Sequence, residues 1–145
     1  MKRRGVILAG GRGLRLQAIT HGSNKHLLSI HDRPMIAYPL TTLLQAGIDE
    51  ILIVTNPADI APLQQAIENF VPVGYQVAFA PQTAPRGIAD ALLTAAPFIA
   101  GHHSAIILGD NIFCGTEICN MMKRAGERPI GATVFAYPVA DPERF

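Results

Sequence analysis

The chain has 145 residues, 49% of them hydrophobic and 16% charged, with a formal charge of +1. That length suits one domain with a proper core, and that composition argues against disorder. A charge so near zero gives no broad basic field, which excludes nucleic acid as a main partner. No apolar run approaches membrane-spanning length, so a soluble cytoplasmic protein is the expectation. Met1-Lys2-Arg3-Arg4 resembles the basic start of a secretion signal, but the apolar run behind it is too short and breaks at Gly10. Cys114 and Cys119 do not make a C-x-x-C pair and are expected to be reduced, partly buried thiols.

The first predicted element is a buried strand over 6–9, which stops at Gly10, Gly11 and Gly13. Glycine lets the backbone turn tightly, and successive N–H groups in such a turn form a nest for anions. Arg12 and Arg15 place positive charge beside it. The spacing is not that of a dinucleotide fingerprint, because the third glycine would fall at Leu16, and no Walker A run exists. A phosphate cradle and a strand-ending turn with solvated arginines both remain open on the glycines alone.

A polar stretch over 17–24 follows, then Lys25 and the apolar Leu27, Leu28 and Ile30. His21, His26 and His31 fall five apart, which matches no helical face, and they are read as solvated loop histidines rather than metal ligands. Pro34 is expected to begin a helix capped by Asp32, kinked near Pro39 and ended by Gly47. Glu50–Thr55, apolar on both faces, reads as a strand of a covered parallel sheet. A helix marked by Ile60, Leu63 and Ile67 precedes a strand over 75–80, a Pro/Gly loop over 81–87 and a helix over 88–96. A strand over 104–108 ends at Gly109-Asp110-Asn111. Thr116 is expected to cap a helix running to Ala125, and a fifth strand is expected over 132–137.

This alternation implies βαβ crossovers and an α/β, doubly wound three-layer sandwich around a mostly parallel sheet. Such sheets bind ligands at the carboxyl ends of their strands. The glycine turn, Gln82 with Gly87, and Asp110 should therefore share one rim. A carboxylate at a strand end suits Mg²⁺ shared with substrate phosphates, or equally a helix cap. Arg15 and Lys25 are candidate counter-charges for phosphate oxygens. Gln82 offers a donor and an acceptor that suit the edge of a pyrimidine base, with Gly87 leaving room for the ring.

Several stretches resemble the sugar-nucleotide pyrophosphorylases. Gly-Val-Ile-Leu-Ala-Gly-Gly-Arg-Gly-Leu-Arg-Leu from Gly5 is similar to that family's G-x-G-T-R-L loop, and Asn24-Lys25-His26-Leu27-Leu28-Ser29-Ile30 to its S-K-Q-L-L-P-I segment. Arg33-Pro34-Met35-Ile36, Tyr38-Pro39-Leu40 and Ala46-Gly47-Ile48 match its first helix. Leu108-Gly109-Asp110-Asn111, Phe135-Ala136-Tyr137 and Asp141-Pro142-Glu143-Arg144-Phe145 resemble its glucose-1-phosphate thymidylyltransferase branch in particular.

The resemblance implies a Rossmann-like nucleotidyltransferase fold and a reaction: a sugar 1-phosphate oxygen attacks the α-phosphorus of dTTP (or UTP), and pyrophosphate leaves. It implies that Leu8, Gly10, Gly11 and Gly13 line the nucleotide site and that Arg15 and Lys25 act on the phosphates. It further implies that Gln82 and Gly87 contact the base, that Asp110 binds Mg²⁺, and that the protein is a homo-oligomer of dTDP-sugar and polysaccharide synthesis. Leu14 stands for the signature threonine, Gln17 for the following proline, Asn24 for a serine, Ser29 for a proline and Asp90 for a glutamine. Family members continue past the position of Phe145. The chain is therefore expected to be the nucleotide-binding part of a truncated domain without the sugar-binding part, binding nucleotide but turning over poorly. A non-catalytic nucleotide-binding module, or a remnant of a shortened gene, is the alternative.

Overall fold

The apolar run before Gly10 lies in β1 (Arg3–Leu8), which sits inside the sheet with neighbours on both sides. The computed structural model describes residues 2–11, 23–84 and 86–144. A short hairpin, β2 (Ser29–Ile30) and β3 (Arg33–Pro34), turns at His31, whose φ is 60°. Then come α1 (Ala37–Gln45), β4 (Glu50–Thr55), α2 (Ile60–Ile67), β5 (Gln76–Pro81), α3 (Ile88–Ile99), β6 (His103–Leu108) and α4 (Ile118–Gly126). The main sheet has the order β5-β4-β1-β6, with every pair parallel.

Alternation along β1 and β4 sorts the core into two layers. Ile7, Ile51 and Ile53 point to one face, where Leu40 and Leu43 of α1 and Leu63 and Ile67 of α2 cover them. Val6, Leu8, Leu52 and Val54 point to the other, against Ala91 and Ala95 of α3. Each such branched side chain, fully buried, contributes about 1.5–3 kcal/mol relative to exposure. Helices on both faces of a parallel sheet make the expected doubly wound fold. The chain steps outward from β1 to β4 to β5, then returns to the far side of β1 with β6. The switch point lies between β1 and β6, the position that leaves a crevice at the strand ends.

The strand ends are tied together just before Gly10. Ala9 N donates to Val54 O at 2.7 Å, and the buried Thr55 hydroxyl donates to Ala9 O at 3.1 Å.

Several expectations need correction. Pro34 belongs to the hairpin and α1 starts at Ala37; Asp32 caps nothing, because its carboxylate is engaged by the Arg33 guanidinium through two 2.9 Å bonds. Pro39 sits in the first turn of α1, where a missing N–H removes no intrahelical bond, so it gives no cause for a kink. Gly47 closes the helix as expected, at φ +78°. Thr116 lies before Glu117, the residue at the cap of α4, and no side chain caps that helix. The 132–137 segment is not a strand: all its residues are exposed, and Phe135 meets the Phe113 ring edge-on at 6.5 Å. Strand propensity acts only where a paired edge and a covered face exist, and this segment has neither. Both cysteines are free thiols, with Cys114 exposed rather than partly buried.

Candidate functional site

The parallel register aligns the strand ends. Leu8 stands beside Val54 and Leu108, and Thr55 beside Pro81. The residues that follow each strand therefore emerge on one rim. Gly10 and Gly11 follow β1, Gln82 follows β5 and Asp110 follows β6. Gly109 N is held by Leu8 O at 2.8 Å and Gln82 N by Thr55 O at 2.7 Å. Between them lies a cleft of about 250 Å³. Leu8, Gly10, Gly11, Lys25, Gln82, Gly87 and Asp110 all line it, so the structure gathers every expected site residue that it describes. Gly13 and Arg15 lie outside the described residues.

Lys25 arrives from the short helical turn Lys25–Leu27, capped by Asn24, whose side-chain oxygen accepts from His26 N at 2.9 Å. Its ammonium sits 2.5 Å from Asp110 Oδ2. Partial burial pushes the Asp110 carboxyl up, but the Lys25 hydrogen bond and charge, together with His26, outweigh it and hold the carboxyl below its ordinary range. The pair thus presents an ionised carboxylate and an ammonium at the mouth of the cleft.

Gln82 is 5% exposed and its amide has a defined orientation. Its Nε2 donates to Asp90 Oδ2 at 2.9 Å and to Gly87 O at 3.3 Å. Both partners are acceptors, so the NH₂ must face them and Oε1 must face the other way. That oxygen lies so close to Gly10 that a Cβ there would collide with it. Gly87 has φ +94°, which favours glycine, and no atom lies within 4 Å of where its Cβ would stand. A ring could lie over it. Gly10→Ala is expected to push Gln82 off Asp90 and cost about 1 kcal/mol, roughly one intramolecular hydrogen bond. Urea unfolding of the variant against the parent measures it.

His26 is the residue sequence reasoning missed. It is a buried wall of the cleft, only 2% exposed, and not a solvated loop histidine. Asn24 Oδ1 already accepts the His26 backbone N–H, so it is an acceptor for Nδ1 at 2.7 Å as well. The neutral ring therefore carries its proton on Nδ1. Burial, and then the Lys25 charge, lower its pKa to about 4. The available signal was Asn24 two residues earlier, followed by Leu27 and Leu28: a capped turn folded inward. His31 is exposed on its hairpin, as expected, and His21 lies outside the described residues. Among the described residues, no group of three or more His, Cys, Asp or Glu side chains could hold a metal unaided.

Gly10 and Gly11, an ammonium and a carboxylate thus meet at the switch point of a parallel sheet, the place where open α/β folds hold their ligands. The chain belongs to the nucleotidyl transferase family, whose model matches residues 4–145. It is 45% identical over 142 residues to a glucose-1-phosphate thymidylyltransferase of Neisseria gonorrhoeae, covering 98% of this chain and 49% of that one. The Xanthomonas campestris enzyme of the same name is 45% identical over 144 residues, covering 99% and 49%. A solved Bacillus anthracis structure, assigned as a glucose-1-phosphate thymidylyltransferase, superposes with a TM-score of 0.72 at 32% identity, covering 87% of this chain and 51% of that one. The chain spans about half the length of the curated relatives it matches. No helix among the described residues is long and apolar enough to cross a membrane.

Proposed function

We propose that this cleft binds a thymidine or uridine triphosphate and serves nucleotidyl transfer to a sugar 1-phosphate, in the manner of a glucose-1-phosphate thymidylyltransferase. The observation that carries the reading is the convergence of Gly10, Gly11, Lys25, Gln82, Gly87 and Asp110 on one rim. The glycine backbone seats the phosphates and the Gln82–Gly87 end takes the base. The family resemblance gives Gly13 and Arg15, which lie outside the described residues, a part in holding the phosphates. In the reaction the sugar phosphate oxygen bonds to the α-phosphorus as the bond to pyrophosphate breaks. Negative charge builds on phosphate oxygens, and Lys25 is placed to neutralise it.

Asp110 fits Mg²⁺: it is ionised, exposed and a hard oxygen donor, and one or two carboxylates are the usual protein share when phosphates supply other ligands. The ion would add charge neutralisation on those phosphates. The Lys25 ammonium stands beside that carboxylate, so both groups would face the same phosphates.

Calorimetry with dTTP, with and without Mg²⁺, tests this beside a pyrophosphate-release assay with glucose 1-phosphate. Lys25→Ala is expected to weaken dTTP binding about tenfold, the size of a lost charge-assisted hydrogen bond. Asp110→Asn is expected to remove the Mg²⁺ enhancement. Absence of dTTP binding, or binding indifferent to both changes, would sink the reading. Binding without turnover would assign the chain the nucleotide-holding role alone.

A further inference from the structure

Asp90 has no place in the phosphate chemistry. It stands in the first turn of α3, half-buried, where the family resemblance expects glutamine, and its carboxylate takes one N–H of the Gln82 amide at 2.9 Å. The Gly87 carbonyl takes the same NH₂ at 3.3 Å. A glutamine amide alone can turn over and present either its oxygen or its nitrogen. A carboxylate cannot: it only accepts. With Asp90 in place, the flipped amide would set oxygen against oxygen on both sides.

We infer that Asp90 is a positioning residue that locks Gln82 as an acceptor, so that the base-binding end of the cleft selects a pyrimidine whose ring edge offers an N–H. Thymine and uracil carry that hydrogen on N3, whereas cytosine carries a lone pair there. The Oε1 beside Gly10 then attracts the first class and repels the second. A site built to hydrogen-bond one group discriminates against a ligand that leaves its buried polar atom unpaired. This rests on the nucleotide reading given above and adds its specificity determinant.

The test compares the parent with Asp90→Ala, a change a helix tolerates well, its folding checked by thermal melting. Three probes are titrated: dTTP, dCTP and tripolyphosphate, which has phosphates and no base. The parent is expected to prefer dTTP over dCTP by about tenfold or more, from one buried hydrogen bond made against one repelled. In the variant only the longer 3.3 Å bond to Gly87 O still opposes a turn of the amide. The preference should fall to within about threefold, with dTTP weakened and dCTP gaining. Tripolyphosphate affinity should stay the same, which a general loss of structure would not allow. A variant that keeps the parent's dTTP-to-dCTP ratio overturns the role of Asp90 and leaves the nucleotide site standing. A parent that binds tripolyphosphate and dTTP alike, with no gain from the base, overturns base recognition at Gln82. A parent that binds neither overturns the nucleotide reading itself.

Discussion

Lowering the pH from 7 to 4 is expected to cost the folded chain about 3 kcal/mol through His26 alone. In the unfolded chain the imidazole titrates near its ordinary 6.5, and in the folded chain near 4. Between those values the unfolded state binds more protons, so stability rises with pH across the window. It is fully present above 6.5, falls as the pH drops, and stops falling below 4. The physical cause is the wall of the cleft: a charged ring there would be desolvated and would face the Lys25 ammonium. Asp110 acts lower on the scale. Its carboxyl is held below the ordinary range, so its contribution is present above the unfolded carboxylate pKa and lost only as pH drops through its folded value. The check is urea unfolding from pH 7 to pH 4 for the parent and for His26→Gln, which cannot titrate. The difference between the two curves should grow toward acid by most of that 3 kcal/mol; parallel curves would show that the ring is not held neutral.

Gly109→Ala is expected to destabilise the chain by about 1–3 kcal/mol, the range for overfilling a packed interior. A Cβ at that position would stand 2.7 Å from both Cδ2 and Nε2 of His26 and 3.2 Å from Ala9 Cβ. The ring cannot step aside cheaply, because Asn24 holds its other nitrogen and the position is buried. Ala9 cannot either, being fixed to β4 on both its amide and its carbonyl. The displaced ring would carry Lys25 with it and loosen the contact with Asp110. Chemical denaturation at neutral pH gives the stability loss. A change under about 0.5 kcal/mol, the size of an ordinary surface substitution, would mean that the ring has room to move.

The two central strands, β1 and β4, were legible because burial on both faces leaves little choice of side chain. The runs over 50–55 and 104–108 end where β4 and β6 end, and the run over 6–9 overshoots β1 by one residue. The rim followed from them, since parallel strands put what comes next on the same edge. Capping was read less well. Asp32 and Thr116 have the right side chains for helix starts, but a neighbouring guanidinium claims the first, and the second stands one residue short of the cap position. The 132–137 run shows the limit most plainly. Val134, Phe135 and Tyr137 favour strand, yet a strand exists only as a partner of another. His26 was missed for a related reason: one polar residue among short apolar ones does not reveal which way a turn folds. The orientation of the Gln82 amide was equally out of reach, since it depends on a carboxylate eight positions away that meets it only after α3 has packed down.

The double tether on Ala9 has a thermodynamic consequence for whatever enters. A loop that must stiffen around its guest gives up backbone freedom at about 1–2 kcal/mol per residue, and affinity drops accordingly. Here Thr55 and Val54 have already immobilised the residue immediately before the glycines, as part of folding. Up to that point the floor of the crevice is preorganised, and the entropy of setting it was surrendered when the sheet formed.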